Sequence, residues 1–253
     1  MKYVYFIFLT ISTLIMSCST PDKLVKFTPK PRDIYTNENL KTFLRSNSQP
    51  NIVLRVPNAY EDVTTKSTND KVIAVSQENE AMDIYYNAIE KEFLRAGFSV
   101  RDRGLFNEVL KKMSRDNTEN INYSQIKDLT NTDLIVEVIK INPAVQYITN
   151  KAYSVDKKGR TKEYTSSKQY KKYGASAEFK IILVKNNEMA GTYTFNYTPC
   201  IDGCELSKFN SKPKPVSKLK VAPAIPAYEG VEKNVMEEFI KRCSQDLIAA
   251  IKG

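Results

Sequence analysis

Asn79-Glu80-Ala81-Met82-Asp83-Ile84-Tyr85-Tyr86-Asn87-Ala88-Ile89-Glu90-Lys91-Glu92-Phe93-Leu94-Arg95-Ala96-Gly97-Phe98, continued by Ser99-Val100-Arg101-Asp102-Arg103, is the stretch that decides the fold. Met82, Tyr85, Tyr86, Ile89, Phe93 and Ala96 recur at helical spacing, which gives one apolar face with charges opposite. Gly97 stops the helix where the chain must turn left-handed. Residues 98–103 then read as a short strand. Leu105, Phe106, Val109, Leu110 and Met113 mark a second amphipathic helix, and residues 123–129 supply one or two further turns. Leu134-Ile135-Val136-Glu137-Val138-Ile139-Lys140-Ile141 is a strand. Helix, strand, helix and strand with short joints form an α/β unit, whose sheet has to be covered by those helices.

Working outward, Asn142-Pro143 should end the core strand. Residues 145–155 and 164–173 read as two extended arms joined by the turn Asp156-Lys157-Lys158-Gly159-Arg160. Residues 175–184 are strongly β-forming, Asn186-Asn187-Glu188 turns them, and 190–197 return as the antiparallel partner. Residues 209–228, rich in Lys, Pro and Ala, should be irregular. The chain closes with a helix over 229–252, in which Val235, Phe239, Cys243, Leu247 and Ile251 form an i, i+4 stripe. Upstream, Asn51-Ile52-Val53-Leu54-Arg55-Val56-Pro57 reads as the first strand of the domain and 59–70 as loop. Residues 72–75 fit either a short strand or a backward extension of the long helix.

Residues 1–17 have the form of a secretory signal. Lys2 is followed by a nearly unbroken apolar run over 3–16, too short to span a membrane as a helix. The run ends Leu14-Ile15-Met16-Ser17-Cys18, which resembles the bacterial lipobox, with Met16 the less usual residue at its place. That resemblance implies removal of the signal and acylation of Cys18; an ordinary signal peptide with a chance cysteine is the rival reading. Burial contributes ~0.8 kcal/mol per methylene, so several acyl chains would anchor the chain without spanning. Ser19, not Asp, follows the cysteine. By the rule known for many Gram-negative lipoproteins this favours the outer membrane, on its periplasmic or surface side. Residues 18–50, with Pro21, Pro29, Pro31 and Pro50, read as the lipidated cysteine and a polar tether, within which 37–45 fit a short helix presenting Leu40, Phe43 and Leu44.

Ala96-Gly97-Phe98-Ser99-Val100-Arg101-Asp102-Arg103, the helix ending Asn107-Glu108-Val109-Leu110, and Thr132-Asp133-Leu134-Ile135-Val136-Glu137 resemble the curli-secretion lipoprotein (CsgG-like) superfamily. The lipoproteins that activate penicillin-binding proteins look like relatives. The likeness continues through 174–197, whose short polar turn is similar to the family's closing hairpin. It implies a single mixed-sheet α/β domain over 51–253, anticodon-binding-domain-like, flanked by helices, with a β-hairpin arm over 145–173 and a C-terminal helix. Its motifs are structural, so the function it implies is a non-enzymatic binding or assembly factor in envelope biogenesis or secretion, with a protein partner. The alternative it offers is a subunit of an oligomeric outer-membrane export channel, in which the segment after this core strand spans the bilayer and many copies close a barrel.

Arm length suits that alternative, since crossing takes about 9–11 residues. The pattern does not. Along Val145, Tyr147, Thr149, Lys151, Tyr153 and Val155 a lysine falls near the middle, and Gln146 and Asn150 lie on the opposite face. In the second arm Lys168 and Lys172 share one face and Lys171 takes the other. A lysine at the midplane costs roughly 2–4 kcal/mol. The arm is therefore expected to be an exposed basic surface made by Lys157, Lys158, Arg160, Lys162, Lys168, Lys171 and Lys172.

Composition narrows the chemistry. The 253 residues carry a formal charge of +9, and residues 140–220 hold 16 Lys/Arg against 6 Asp/Glu, more than the whole excess. Such a segment suits anionic headgroups or an acidic protein; the plainer reading is a solvated Lys-rich region. There is no His, which excludes Ser-His-Asp and Cys-His catalysis and every His-containing metal site. No phosphate-cradling glycine loop, P-loop or nucleophile elbow occurs, so no cofactor and no enzyme activity are expected. Tyr and Lys interleaved over 147–173 could stack on nucleic acid, but an exported chain rarely meets it, and a solvent-facing strand pair explains the pattern. Asp102, between Arg101 and Arg103, is expected to pair with one of them. Cys200 and Cys204 are spaced to staple a loop. Cys243, within the apolar stripe, reads as a buried thiol, with a bridge to the Cys200 loop left open.

Overall fold

The computed structural model describes residues 22–56, 69–116, 123–156, 158–206 and 230–252. The signal-like run, Cys18, Lys157 and the irregular segment expected over 209–228 lie outside these residues. Two compact units are distinguished. In described residues the larger comprises 28–56, 69–116, 123–147, 172–199 and 230–252, and the smaller 22–27, 148–156, 158–171 and 200–206.

In chain order the strands are β1 Asp22–Val25, β2 Asp33–Thr36, β3 Asn51–Arg55, β4 Ser99–Val100, β5 Leu134–Val155, β6 Thr161–Leu183, β7 Glu188–Tyr197 and β8 Cys204–Glu205. The helices are α1 Glu38–Ser46, α2 Asn69–Arg95, α3 Arg103–Asp116, α4 Tyr123–Thr130 and α5 Lys233–Lys252. The protein is mixed α/β, with eight strands in one sheet flanked by helices. Its order is β2-β7-β6-β5-β1-β8, and β3 pairs with β4 and β5 off that path. β3 runs parallel to β4 and β5, whereas β1 with β5, β1 with β8, β2 with β7 and β6 with β7 are antiparallel.

In the larger unit the sheet is covered on both sides. Ile52, Leu54, Leu134, Val136, Phe179, Ile181, Tyr193 and Phe195 share one cluster with Tyr86, Ile89 and Phe93 of α2 and Met236, Ile240 and Leu247 of α5. Val53, Ile135, Ile182 and Val184 pack with Phe106 and Leu110 of α3. Burial on two faces explains why Ile52-Val53-Leu54 and Leu134-Ile135-Val136 read as unbroken apolar runs instead of alternating.

Helix ends follow local chemistry. Gly97, at φ 86°, ends α2 in a paired cap: its N–H donates to Leu94 and the Phe98 N–H to Phe93, while the Phe93 and Phe98 rings meet edge to face at 5.2 Å. Asn37 caps α1 by accepting the Leu40 N–H at 2.9 Å, and Leu40 is buried, as the short helix expected there required.

Several expectations need correction. Residues 22–46 are not a tether: β1, β2 and α1 lie there, with Val25 and Phe27 buried. Four-residue strands between prolines carry too short a pattern to be seen locally. Of the two readings left open for 72–75 the helix holds, and α2 also takes in Asn69 and Asp70 from the expected loop. β5 passes through Asn142-Pro143 without a break. β3 pairs with β5 as far as Glu137 and β1 pairs with it only from Ala152, so at Pro143 neither of them has a described ladder bond for the missing N–H to remove. The Pro143 carbonyl accepts the Val231 N–H at 2.9 Å. β6 likewise runs through Gly174, joining two segments expected to be separate.

Candidate functional site

The smaller unit holds most of the residues singled out for binding, and its turn between β5 and β6 is closed by hydrogen bonds to Asp156. The Asp156 N–H donates to Arg160 O at 3.0 Å, and Gly159 takes φ 75°. Asp156 Oδ1 accepts the Lys158 and Arg160 N–H groups, both at 2.9 Å, and Oδ2 pairs with Arg160 Nε at 2.7 Å. Those contacts, led by the Arg160 backbone N–H, hold the Asp156 carboxyl below its ordinary range. Further along, Glu163 pairs with Lys151 at 3.0 Å and accepts the Tyr153 hydroxyl at 3.0 Å, which together lower its pKa. Lys26 lies over the Tyr153 ring at 5.6 Å.

β1 borders β5 from Asp22↔Val155 to Val25↔Ala152, and β8 borders β1 at Leu24↔Glu205 and Val25↔Cys204. The arm is thus not a bare hairpin but part of a four-stranded sheet. Cys200 and Cys204 are joined in a disulfide with their Cα atoms 5.2 Å apart, and the Gly203 N–H closes the turn onto Cys200 O at 3.1 Å. Cys243 is a free thiol buried on α5, and burial pushes its pKa up.

The basic residues are not gathered on one face. By strand alternation Lys162 and Lys168 lie with the half-buried Tyr164 and Ser166 and the buried Tyr170, whose hydroxyl meets Ser166 Oγ at 2.9 Å. Thr161, Glu163, Thr165, Ser167, Gln169 and Lys171 make the other face, and every one is exposed. Lys158 and Arg160 sit at the turn, and Arg160 is committed to Asp156. Lys172, also exposed, belongs to the larger unit, and Lys157 lies outside the described residues.

In the larger unit Asp102 does not follow the expected arginine pairing. Its Oδ1 accepts the Leu105 N–H at 2.7 Å, which makes it the N-cap of α3. Arg101 donates instead to Asn51 Oδ1 at 3.0 Å, and Arg103 lies over the Tyr86 ring near Asp83 and Glu90. Burial, the largest influence on Glu90, raises its pKa against the pull of Arg103. Two buried acids were missed. Glu137 on β5 pairs with Arg55 at 3.1 Å and Lys180 at 2.5 Å. Glu92 on α2 accepts Gln245 Nε2 at 2.9 Å and pairs with Arg95, within an open groove of about 490 Å³ between α2 and α5. Glu137 carried a signal, an acid inside an apolar run between Val136 and Val138; Glu92, in Glu90-Lys91-Glu92-Phe93, carried none.

Comparison with family models, with curated proteins and with solved structures finds no match to this chain.

Proposed function

We propose that the chain is a lipid-anchored, non-enzymatic binding factor of a bacterial envelope, held at the outer membrane through Cys18 and presenting the sheet of its smaller unit to a protein partner. One observation carries this reading: the face of β6 from Thr161 to Lys171 is wholly exposed and polar, on a sheet stiffened by ion pairs and a disulfide. A hydrophilic surface of that kind suits recognition. It does not suit a bilayer-spanning strand, whose outward residues form an apolar band. No described helix is long and apolar enough to cross a membrane. The lipobox and the curli-secretion resemblance support the envelope setting.

Three measurements test the reading. Wild-type protein should incorporate labelled fatty acid and Cys18→Ala should not; equal labelling of both removes the anchor. A photo-crosslinking residue at Thr165 should yield a discrete adduct with an envelope protein, and an absence of adducts from every surface position tried would end the binding reading. Acylated protein reconstituted in bilayers should be silent, whereas ring-shaped particles with steady conductance would establish the channel instead.

A further inference from the structure

β6 has a neighbouring strand on both flanks for only part of its length. β7 pairs with it from Ala175↔Tyr197 to Leu183↔Glu188. Past Tyr197 the chain runs through Thr198 into Pro199, which has no N–H to donate, and then to the disulfide turn. Along 161–169 the flank of β6 away from β5 therefore takes no strand among the described residues.

We propose that this flank is a strand-addition edge, and that its occupant is an extended acidic segment of a partner protein. The inference rests on the reading of the chain as a binding factor and deepens it by naming the partner's chemistry. An open edge presents unpaired N–H and C=O groups at alternate residues, ready to pair with another extended chain. Several devices that blunt such edges are absent from the strand itself: residues 161–169 contain no proline, the strand is long, and Thr161, Tyr164 and Thr165 favour extended structure. Lysine is the device that is present, and here it selects between occupants. A second copy added antiparallel about Thr165 would set Lys162 directly opposite its partner's Lys168 on both sides of the twofold, a repulsive pairing. An acidic strand meets no such penalty. Glu163 does not oppose it, because its carboxylate is engaged by Lys151 and Tyr153. Lys162 and Lys168 lie six residues apart on one face, so two acids at that spacing read both lysines in one register.

The probe is a synthetic nonapeptide, Thr-Glu-Thr-Val-Thr-Val-Thr-Glu-Thr, added to the full disulfide-bonded protein while amide exchange is followed residue by residue. Exchange of alternate amides within 161–169 should slow on binding. A copy N-methylated at alternate amides keeps the charge but not the donors, and should give no protection. Replacing both Glu by Lys, or using Lys162→Glu/Lys168→Glu protein, should weaken binding at least tenfold. The variant's unfolding midpoint and intact disulfide report that it has folded. Equal binding of the N-methylated peptide would reduce the effect to charge alone and overturn the proposal, as would protection confined to other residues. Sedimentation showing a dimer abolished by the double substitution would give the edge to a second copy, and protection by phosphatidylglycerol vesicles but not by peptide would give it to lipid. If the peptide fails while Thr165 still crosslinks to a partner, the binding function stands and the edge proposal falls.

Discussion

A Cβ added at Gly174 would lie 2.2 Å from the Tyr197 carbonyl oxygen and 2.5 Å from the Tyr147 ring. The ring cannot easily give way, because its hydroxyl is bonded to Thr198 Oγ1 at 3.1 Å and Lys30 lies over its face at 5.2 Å. Gly174→Ala should therefore destabilise the larger unit by about 1–3 kcal/mol, read from the urea midpoint. In the sequence this glycine looks like a break between two segments, because the atoms that require it come from residues far along the chain. Glu92 gives a pH-dependent prediction. The Gln245 amide, then Arg95, hold its carboxyl below the ordinary 4.5. An acid with a depressed pKa stabilises the fold above its unfolded value, and loses that contribution as pH falls through the folded one. Glu92→Gln should cost about 1–2 kcal/mol at pH 7, and the gap to wild type should close in acid. Unfolding midpoints at pH 7 and pH 3 make the check, and a gap that widened in acid would contradict the sign.

Helix α2 shows how much of an element local chemistry can specify. Its apolar face and its terminal glycine were legible because both signals lie within a few residues of each other. Nothing crowds a Cβ at Gly97, so Gly97→Ala should cost only backbone strain at positive φ, about 1 kcal/mol. Gly97→Asn should recover part of that, since asparagine tolerates the left-handed region; thermal melts of the two variants compare them. Asp102 was misread: its flanking arginines suggested an ion pair, whereas an acid directly before a helix serves as its N-cap. The strands were harder. Pro143 and Gly174 are local breakers that the sheet accommodates, one on a stretch of β5 where neither β3 nor β1 pairs with it and one under a ring. β1 and β2 are four residues each, and only their distant partners make them strands. Loss of the Asn37 side chain tests the join of β2 to α1. Its Oδ1 caps α1 and its Nδ2 reaches Glu188 at 2.6 Å, so Asn37→Ala should cost about 1–2 kcal/mol.

At the scale of the whole molecule, the surface proposed for binding was legible as a basic segment and not as a shape. Charge counting located the lysines, but it could not show that two further strands and a disulfide turn would join the hairpin. Closing the short Cys200–Cys204 loop is worth about 2 kcal/mol in the chain-entropy account. Cys200→Ser/Cys204→Ser should accordingly raise amide exchange in β1 and β8 while leaving β3 and β7 protected. Uniform loss of protection would mean that the two units unfold together. The pairing of β1 also bears on the order of events during synthesis. Asp22 precedes its partner Val155 by more than half the length of the 253 residues, and Cys204, which borders Val25, comes later still. Until residues 152–155 are made, β1 has backbone groups with no described ladder to join, and closing so long a loop is slow. Of the described strands, the one made first is therefore among the last to settle, and a chain halted before Ala152 is made has every residue of β1 and none of the places it fills.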